Sequence, residues 1–227
     1  MPNLTDAYLR IDRASEHLAE LNSLCDSVCE AQAKATTINL KAEVIPPGES
    51  REVMSVVSGR TPIPDKCRLL VGDTANSFRS ALDYLVGQLA ELDSGSRQPK
   101  TQFPIESSPD GFNARKKTFL RGVNQAHITG IEALQPYNGC QWTEHLATLS
   151  NLDKHNELVA VAHDYIVTVS YGPTLRTEKN TVQTAMNVNI KPVLRIALGN
   201  GLPLKETLEK IKFKVTDTLG SFKLDFK

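Results

Sequence analysis

The sequence predicts an α+β chain, predominantly a helical bundle of about five main helices, with an early β-hairpin and a small antiparallel sheet near the C-terminus. Three observations lead there. Long stretches place apolar residues three and four apart, the repeat of a helix that buries one stripe. Other stretches alternate apolar and polar residues, the repeat of a half-buried strand. The 227 residues hold no internal repeat and no low-complexity tract, so a single domain over 1–227 is the simplest division. Within it the bundle core takes about 6–32, 65–162 and 203–222, the hairpin about 36–58 and the C-terminal β segment about 165–198.

The first helix starts near Asp6, with Thr5 as its expected cap, and buries Ile11, Ala14, Leu18, Leu21, Cys25 and Val28. The period then changes. Ile38, Leu40, Ala42 and Val44 alternate with polar residues, Pro46-Pro47-Gly48 turns the chain, and 53–57 returns as a second strand. Pro62 and Pro64 break the chain again, and Asp65 is placed to cap a long central helix reaching about Leu92. Its seam, Val71, Ala75, Phe78, Leu82, Leu85, Leu89 and Leu92, fits the helical period without a miss. Asp93-Ser94-Gly95-Ser96 reads as the polar loop that ends it.

Phe103-Pro104-Ile105 reads as an extended segment plugged into the core, followed by short helices at about 109–120 and 123–134, the second stopped by Pro136. A further helix begins near Gln141, faces Trp142, Leu146, Leu149 and Leu152 inward, and continues past His155. The chain is β-like at 165–171, 181–190 and 193–198, broken at Pro192. Pro203 suits the first turn of a last helix that carries Leu204, Leu208, Ile211, Val215, Leu219 and Phe222 on one stripe.

Composition narrows the function classes. Twenty-six basic residues balance 26 acidic ones, which excludes a generally basic nucleic-acid coat and an acidic solvating tail. No apolar run reaches the roughly 18–20 residues of a membrane span. The opening MPNLTDAYLRIDR has neither the basic nor the apolar region of a signal peptide, so a cytoplasmic location is expected. The four cysteines lack the paired short spacings of a zinc site and read as small buried hydrophobes in a reducing compartment.

Two sets of residues can carry chemistry. On the central helix, Asp73, Asn76, Arg79, Ser80 and Asp83 share a polar face beside the apolar seam, with Arg79 and Asp83 spaced for an ion pair. Such a pair is worth a few tenths of a kcal/mol at the surface and needs further partners if buried. The second set is Asn151-Leu152-Asp153-Lys154-His155, in which Asn151 and His155 share a helix face with His145 and Thr148 adjacent. A histidine beside a carboxylate can be held in one tautomer and serve as general acid or base. A satisfied, purely structural histidine is the competing reading. His155, His163, Asp153 and Asp164 do not have a metal-ligand spacing, and no phosphate-binding glycine motif or nucleophile elbow is present. Arg115-Lys116-Lys117 with Arg121, flanked by Phe112 and Phe119, is the one compact basic cluster, and a solvated helix face explains it as well as RNA does.

The runs VGDTANSFRSALDYLVGQLA, FPI, IEALQPYNG and LSNLDKHNEL, in this order, resemble a widespread family of uncharacterised bacterial proteins with an RSALD…FPI…LQPY…DKH pattern, over about residues 70–160. The family has no assigned activity. A helical bundle with a polar-residue-to-histidine motif also looks distantly similar to HEPN domains, dimeric helical modules many of which cut RNA without metal. Their motif places an arginine a few positions before a histidine. Here Asn151 stands at the arginine position before His155, while Arg121 and His127 fit the spacing with Gly122 after the arginine.

The resemblance implies metal-independent cleavage or binding of RNA, with His155 as general base, Arg79 holding the phosphate, and Asp83 or Asp153 orienting them. Asn151, Lys154, Asn76 and His145 complete the candidate polar site. No cofactor and no metal is expected, the partner is RNA or a protein rather than a membrane, and the long seams suit a homodimer as easily as a monomer. The alternative is a non-enzymatic protein- or ligand-binding module in which the Arg/Asp/His cluster is a structural polar network.

Overall fold

The structure is a computed structural model of the whole chain. The described residues are 1–45, 49–58, 61–154, 161–168, 175–176, 182–183, 191–198 and 201–226, with side chains described for 1–35, 61–151, 197–198 and 201–226. They form a helical bundle. The helices are α1 (Thr5–Lys34), α2 (Asp65–Ser94), α3 (Pro109–Phe119), α4 (Gln125–Ala133), α5 (Gln141–Lys154) and α6 (Leu204–Phe222), and a terminal 3-10 turn spans Lys223–Phe226. None of them is long and apolar enough to cross a membrane.

α1 and α2 are 30 residues each, so each extends about 45 Å at 1.5 Å per residue. They pack along one another in opposite directions. At one end the Asn3 N–H donates to Gln88 Oε1 at 2.7 Å, and towards the other Lys66 pairs with Glu20. The predicted stripe of α1 is buried apart from Cys25, which is half-buried. α2 exceeds its predicted seam: Leu70, Thr74, Ala81, Val86 and Ala90 are buried beside Val71, Ala75, Phe78, Leu82, Leu85 and Leu89. These positions flank the seam on both sides and widen the buried face, so that one helix contacts α1, α5 and α6 together, and α2 is therefore the centre of the core. All six predicted positions of α6 are buried.

Two expected caps and one expected first-turn residue differ. Thr5 lies inside α1, its N–H satisfied by Asn3 Oδ1 at 2.9 Å, because the asparagine side chain reaches forward two residues. Asp65 is the first residue of α2 after Pro64 and pairs with Arg68 at 3.2 Å, the position favoured by the helix dipole. Pro203 precedes α6 as its cap position. α2 also runs two residues beyond Leu92, to Ser94, and ends at Gly95 with φ +74°. That left-handed conformation suits glycine. The shorter helices have true side-chain caps: Ser108 Oγ accepts from Gly111 N–H, and Asn124 Oδ1 from His127 N–H.

The strand segments are β1 (Thr36–Ile45), β2 (Glu49–Ser58), β3 (Val161–Thr168), β4 (Leu175–Arg176), β5 (Val182–Gln183) and β6 (Lys191–Leu198). Backbone pairing is antiparallel and two by two: β1 with β2 from Thr36↔Ser58 to Ile45↔Glu49, β3 with β6, and β4 with β5. The single small C-terminal sheet expected from the sequence is thus replaced, among the described residues, by separate ladders. The middle segment pairs locally and leaves the first and last to meet each other. Pro192 does not break the last strand; it stands opposite Val167 within β6, next to its first residue, where a missing N–H is tolerated.

Burial predicts the mutational response. Leu85→Ala, at a fully buried position of α2, should lower the unfolding free energy by about 2–5 kcal/mol in a urea titration. Leu9→Ala, at an α1 position 59% exposed, should stay within about 0.5 kcal/mol of wild type.

Candidate functional site

Residues 103–106 cross the core as an extended strap. Pro104 removes one N–H and disfavours helix at Phe103, so the strap has no ladder or helix of its own to satisfy its backbone. Side chains do so instead. The Phe103 N–H donates to Asp83 Oδ1 at 2.8 Å, and Arg79 Nη2 donates to the Phe103 carbonyl. On the far side, the Glu106 N–H donates to Gln135 Oε1 at 2.9 Å, while Gln135 Nε2 donates to the Pro104 carbonyl at 2.9 Å and to Ile131 O at 3.0 Å. The RSALD, FPI and LQPY motifs are one polar network around a buried phenylalanine.

Arg79 Nε lies 3.7 Å from Asp83 Oδ1, with side chains 14% and 31% exposed. Burial pulls the Arg79 pKa down, against Asp83 and Glu106, which support its charge. The guanidinium keeps its proton in any case. Glu106 also meets Arg115 Nε at 3.5 Å, and the Arg115 guanidinium lies 5.4 Å from the Phe119 ring centre. One member of the basic cluster is therefore engaged locally by a carboxylate and an aromatic face.

The other predicted site residues distribute unevenly. Asn76 and His145 are half-buried, on α2 and α5, and Asn151 is exposed on α5, whereas Ser150 beside it is buried. α5 packs against α2, as a shared polar site would require. Asp153 and Lys154 form the end of α5, with their side chains outside the described residues, and His155 lies outside the described residues altogether. The expected continuation of the helix past His155 and its meeting with Arg79 fall there too. His163 and Asp164 stand on β3, opposite Ile196 and Arg195. Among the described residues no group of three or more His, Cys, Asp or Glu side chains could hold a metal ion.

Several polar residues have roles that no sequence motif announces. Gln135 lies within LQPY, but a glutamine that serves three backbone groups carries no sequence signal distinct from a surface one. Asp93, His127 and Asp225 come together from α2, α4 and the terminal turn: Asp93 Oδ2 is 2.7 Å from His127 Nδ1, and Asp225 Oδ2 is 3.5 Å from Nε2. An open cleft of about 410 Å³ lies beside Asp83, lined by Asp6, Tyr84, Gln88, Arg97 and Lys100 among others. Both signs of charge face it. Lys100 adopts φ 62° in the turn that forms its rim.

The expectation of buried cysteines holds in full for Cys67 alone, while Cys25, Cys29 and Cys140 are half-buried against the core. Cys67 is fully buried, and Cys25 of α1 is its thiol neighbour. Burial, reinforced by Cys67 and Cys29, pushes the Cys25 thiol up to about 12. Cys25 is thus held as a thiol, unlike the thiolate of a nucleophilic or redox cysteine.

Comparisons with models of protein families, with curated proteins and with solved structures gave no match.

Two measurements check this geometry. Gln135→Ala and Asp83→Ala should each lower the unfolding free energy by about 1–3 kcal/mol, because each leaves strap N–H or C=O groups without their side-chain partner. Asp83→Asn, which keeps an acceptor oxygen, should cost less than Asp83→Ala. For Cys25, a pKa near 12 leaves about one thiolate in 10⁴ at pH 8, so iodoacetamide should modify it slowly there and faster as the pH rises.

Proposed function

We propose that this protein is a non-catalytic binding module, a rigid helical scaffold whose motif-borne polar residues hold architecture while its surface binds a protein or a small polar ligand. The observation that carries this reading is the engagement of Arg79 and Asp83 with both backbone groups of Phe103. A residue that holds an RNA phosphate needs a guanidinium aimed at solvent, and Arg79 is aimed at a buried carbonyl, its side chain 14% exposed. The cleft of about 410 Å³ next to Asp83 supports a ligand-binding surface, since its size suits a small molecule and its lining includes Arg97 and Lys100 as well as Asp6.

The rival reading is HEPN-like RNA cleavage with His155 as general base. The test is an RNA-cleavage assay in EDTA on wild type and His155→Ala, with melting temperatures recorded on the same samples. Absence of cleavage supports the module. Cleavage by wild type that vanishes in His155→Ala at an unchanged melting temperature overturns it. A screen of small anions and zwitterions by thermal shift tests binding directly: a ligand at a hundred times its Kd should stabilise wild type by about 2.7 kcal/mol, and Arg97→Ala/Lys100→Ala should reduce that gain.

A further inference from the structure

The cluster of Asp93, His127 and Asp225 lies apart from the strap and the cleft, and its geometry has a consequence that holds for a binding module and an enzyme alike. The Asp93 carboxylate, 7% exposed, is heavily committed. Its Oδ2 accepts the Asn124 N–H at 2.8 Å and lies 2.7 Å from His127 Nδ1, and its Oδ1 accepts from Asn124 Nδ2 at 2.8 Å. A 2.7 Å separation needs a proton between the two atoms. A carboxylate already receiving two N–H bonds acts as acceptor, so that proton resides on Nδ1.

The tautomer decides what the other edge of the ring can do. With Nδ1 protonated, the neutral imidazole presents a lone pair at Nε2, and Asp225 Oδ2 faces it at 3.5 Å. Two acceptors in that position repel. Adding a proton at Nε2 turns the same contact into an attraction between an imidazolium and a carboxylate. The ring is 12% exposed and is closed on a third side by Phe222 of α6, edge-on at 5.9 Å between centroids. The charged groups within ion-pair distance of it, among the described residues, are Asp93 from α2 and Asp225 from the terminal turn.

We propose that protonation of His127 latches the terminal turn, Lys223–Phe226, onto α4 and the end of α2. Asp225 is the catch, and Asp93 fixes the ring so that Nε2 points at it. The turn's other residues give the latch a structural output. Lys223 Nζ lies 5.8 Å from the Tyr8 ring centre, and Lys223, Leu224 and Phe226 wall a groove of about 420 Å³ whose opposite side is Leu4 and Tyr8. Histidine side chains change charge between about pH 5 and 8. A proton taken up from solvent at Nε2 closes the latch; its release leaves two acceptors facing each other at 3.5 Å and loosens the groove's wall.

The test uses the full chain, 15N-labelled, in 1H–15N spectra taken from about pH 5 to pH 8 in EDTA. Wild type should show the amides of Leu224, Asp225 and Phe226 shifting with the midpoint of the His127 ring, and their exchange, corrected for intrinsic rates, about two- to fivefold slower in the protonated form. In Asp225→Asn, an exposed substitution expected to leave the melting temperature unchanged, His127 should still titrate while the turn no longer follows. Turn amides insensitive to His127 in wild type overturn the latch, and so does an unaltered titration of the turn in Asp225→Asn. A second series is recorded without EDTA, and a coupling seen only there also overturns the latch, assigning the bridge to a metal ion instead of a proton.

Discussion

The arrangement depends on satisfying the backbone of four residues that have no secondary structure of their own. Phe103 must enter the core to fill the space beside α2, and its peptide groups enter with it. Each buried N–H or C=O left unbonded would cost about 1–3 kcal/mol. Arg79, Asp83 and Gln135 remove that cost by acting as the strand neighbours the strap lacks. Because these three side chains come from α2 and the turn after α4, the strap also ties the position of α4 to that of the central helix. Register follows from polar contacts that can be made in only one arrangement.

The central helix makes this possible by carrying two faces at once. Its wide apolar face gathers α1, α5 and α6, and the polar strip at the edge of that face serves the strap. A half-buried charge pair in such a place is weak evidence of stability by itself. Here the pair has further partners, and its value lies in the backbone groups it holds.

The helices were legible in the sequence because their burial is periodic. Every predicted position of α6, and all but the last of the α2 seam, is buried, since apolar residues repeating at spacings of three and four line up only on a helix. Helix ends were less legible: at Thr5 and Asp65 a good capping residue stood one place inside the helix, and Asn3 or the dipole took over the role. The full width of the buried face of α2 was hidden because Thr74, Ala81 and Ala90, on the flanks of the seam, are small or polar and do not announce burial. In the candidate site, the pairing of Arg79 with Asp83 was readable from an i, i+4 spacing, whereas their common target was not, because a backbone carbonyl some twenty residues onward leaves no mark in composition. The Asp93–His127–Asp225 cluster was unreadable for the same reason, with members on three separate elements.

The placement of α6 bears on the order in which the chain acquires its fold. α1 and α2 are joined through the β1–β2 hairpin and can meet while little chain separates them, so the loop closed is short. α6 packs on both of them from the opposite end of the sequence, and its stripe fills what would otherwise be an open trough along α1 and α2. During synthesis the trough can form before its lid emerges, because α6 follows all the elements between. For that interval the nascent chain displays a long apolar channel to its surroundings. The contacts of α6 with α1 and α2 are among the longest in sequence separation, and the interval before they form is when self-association through the channel competes with folding.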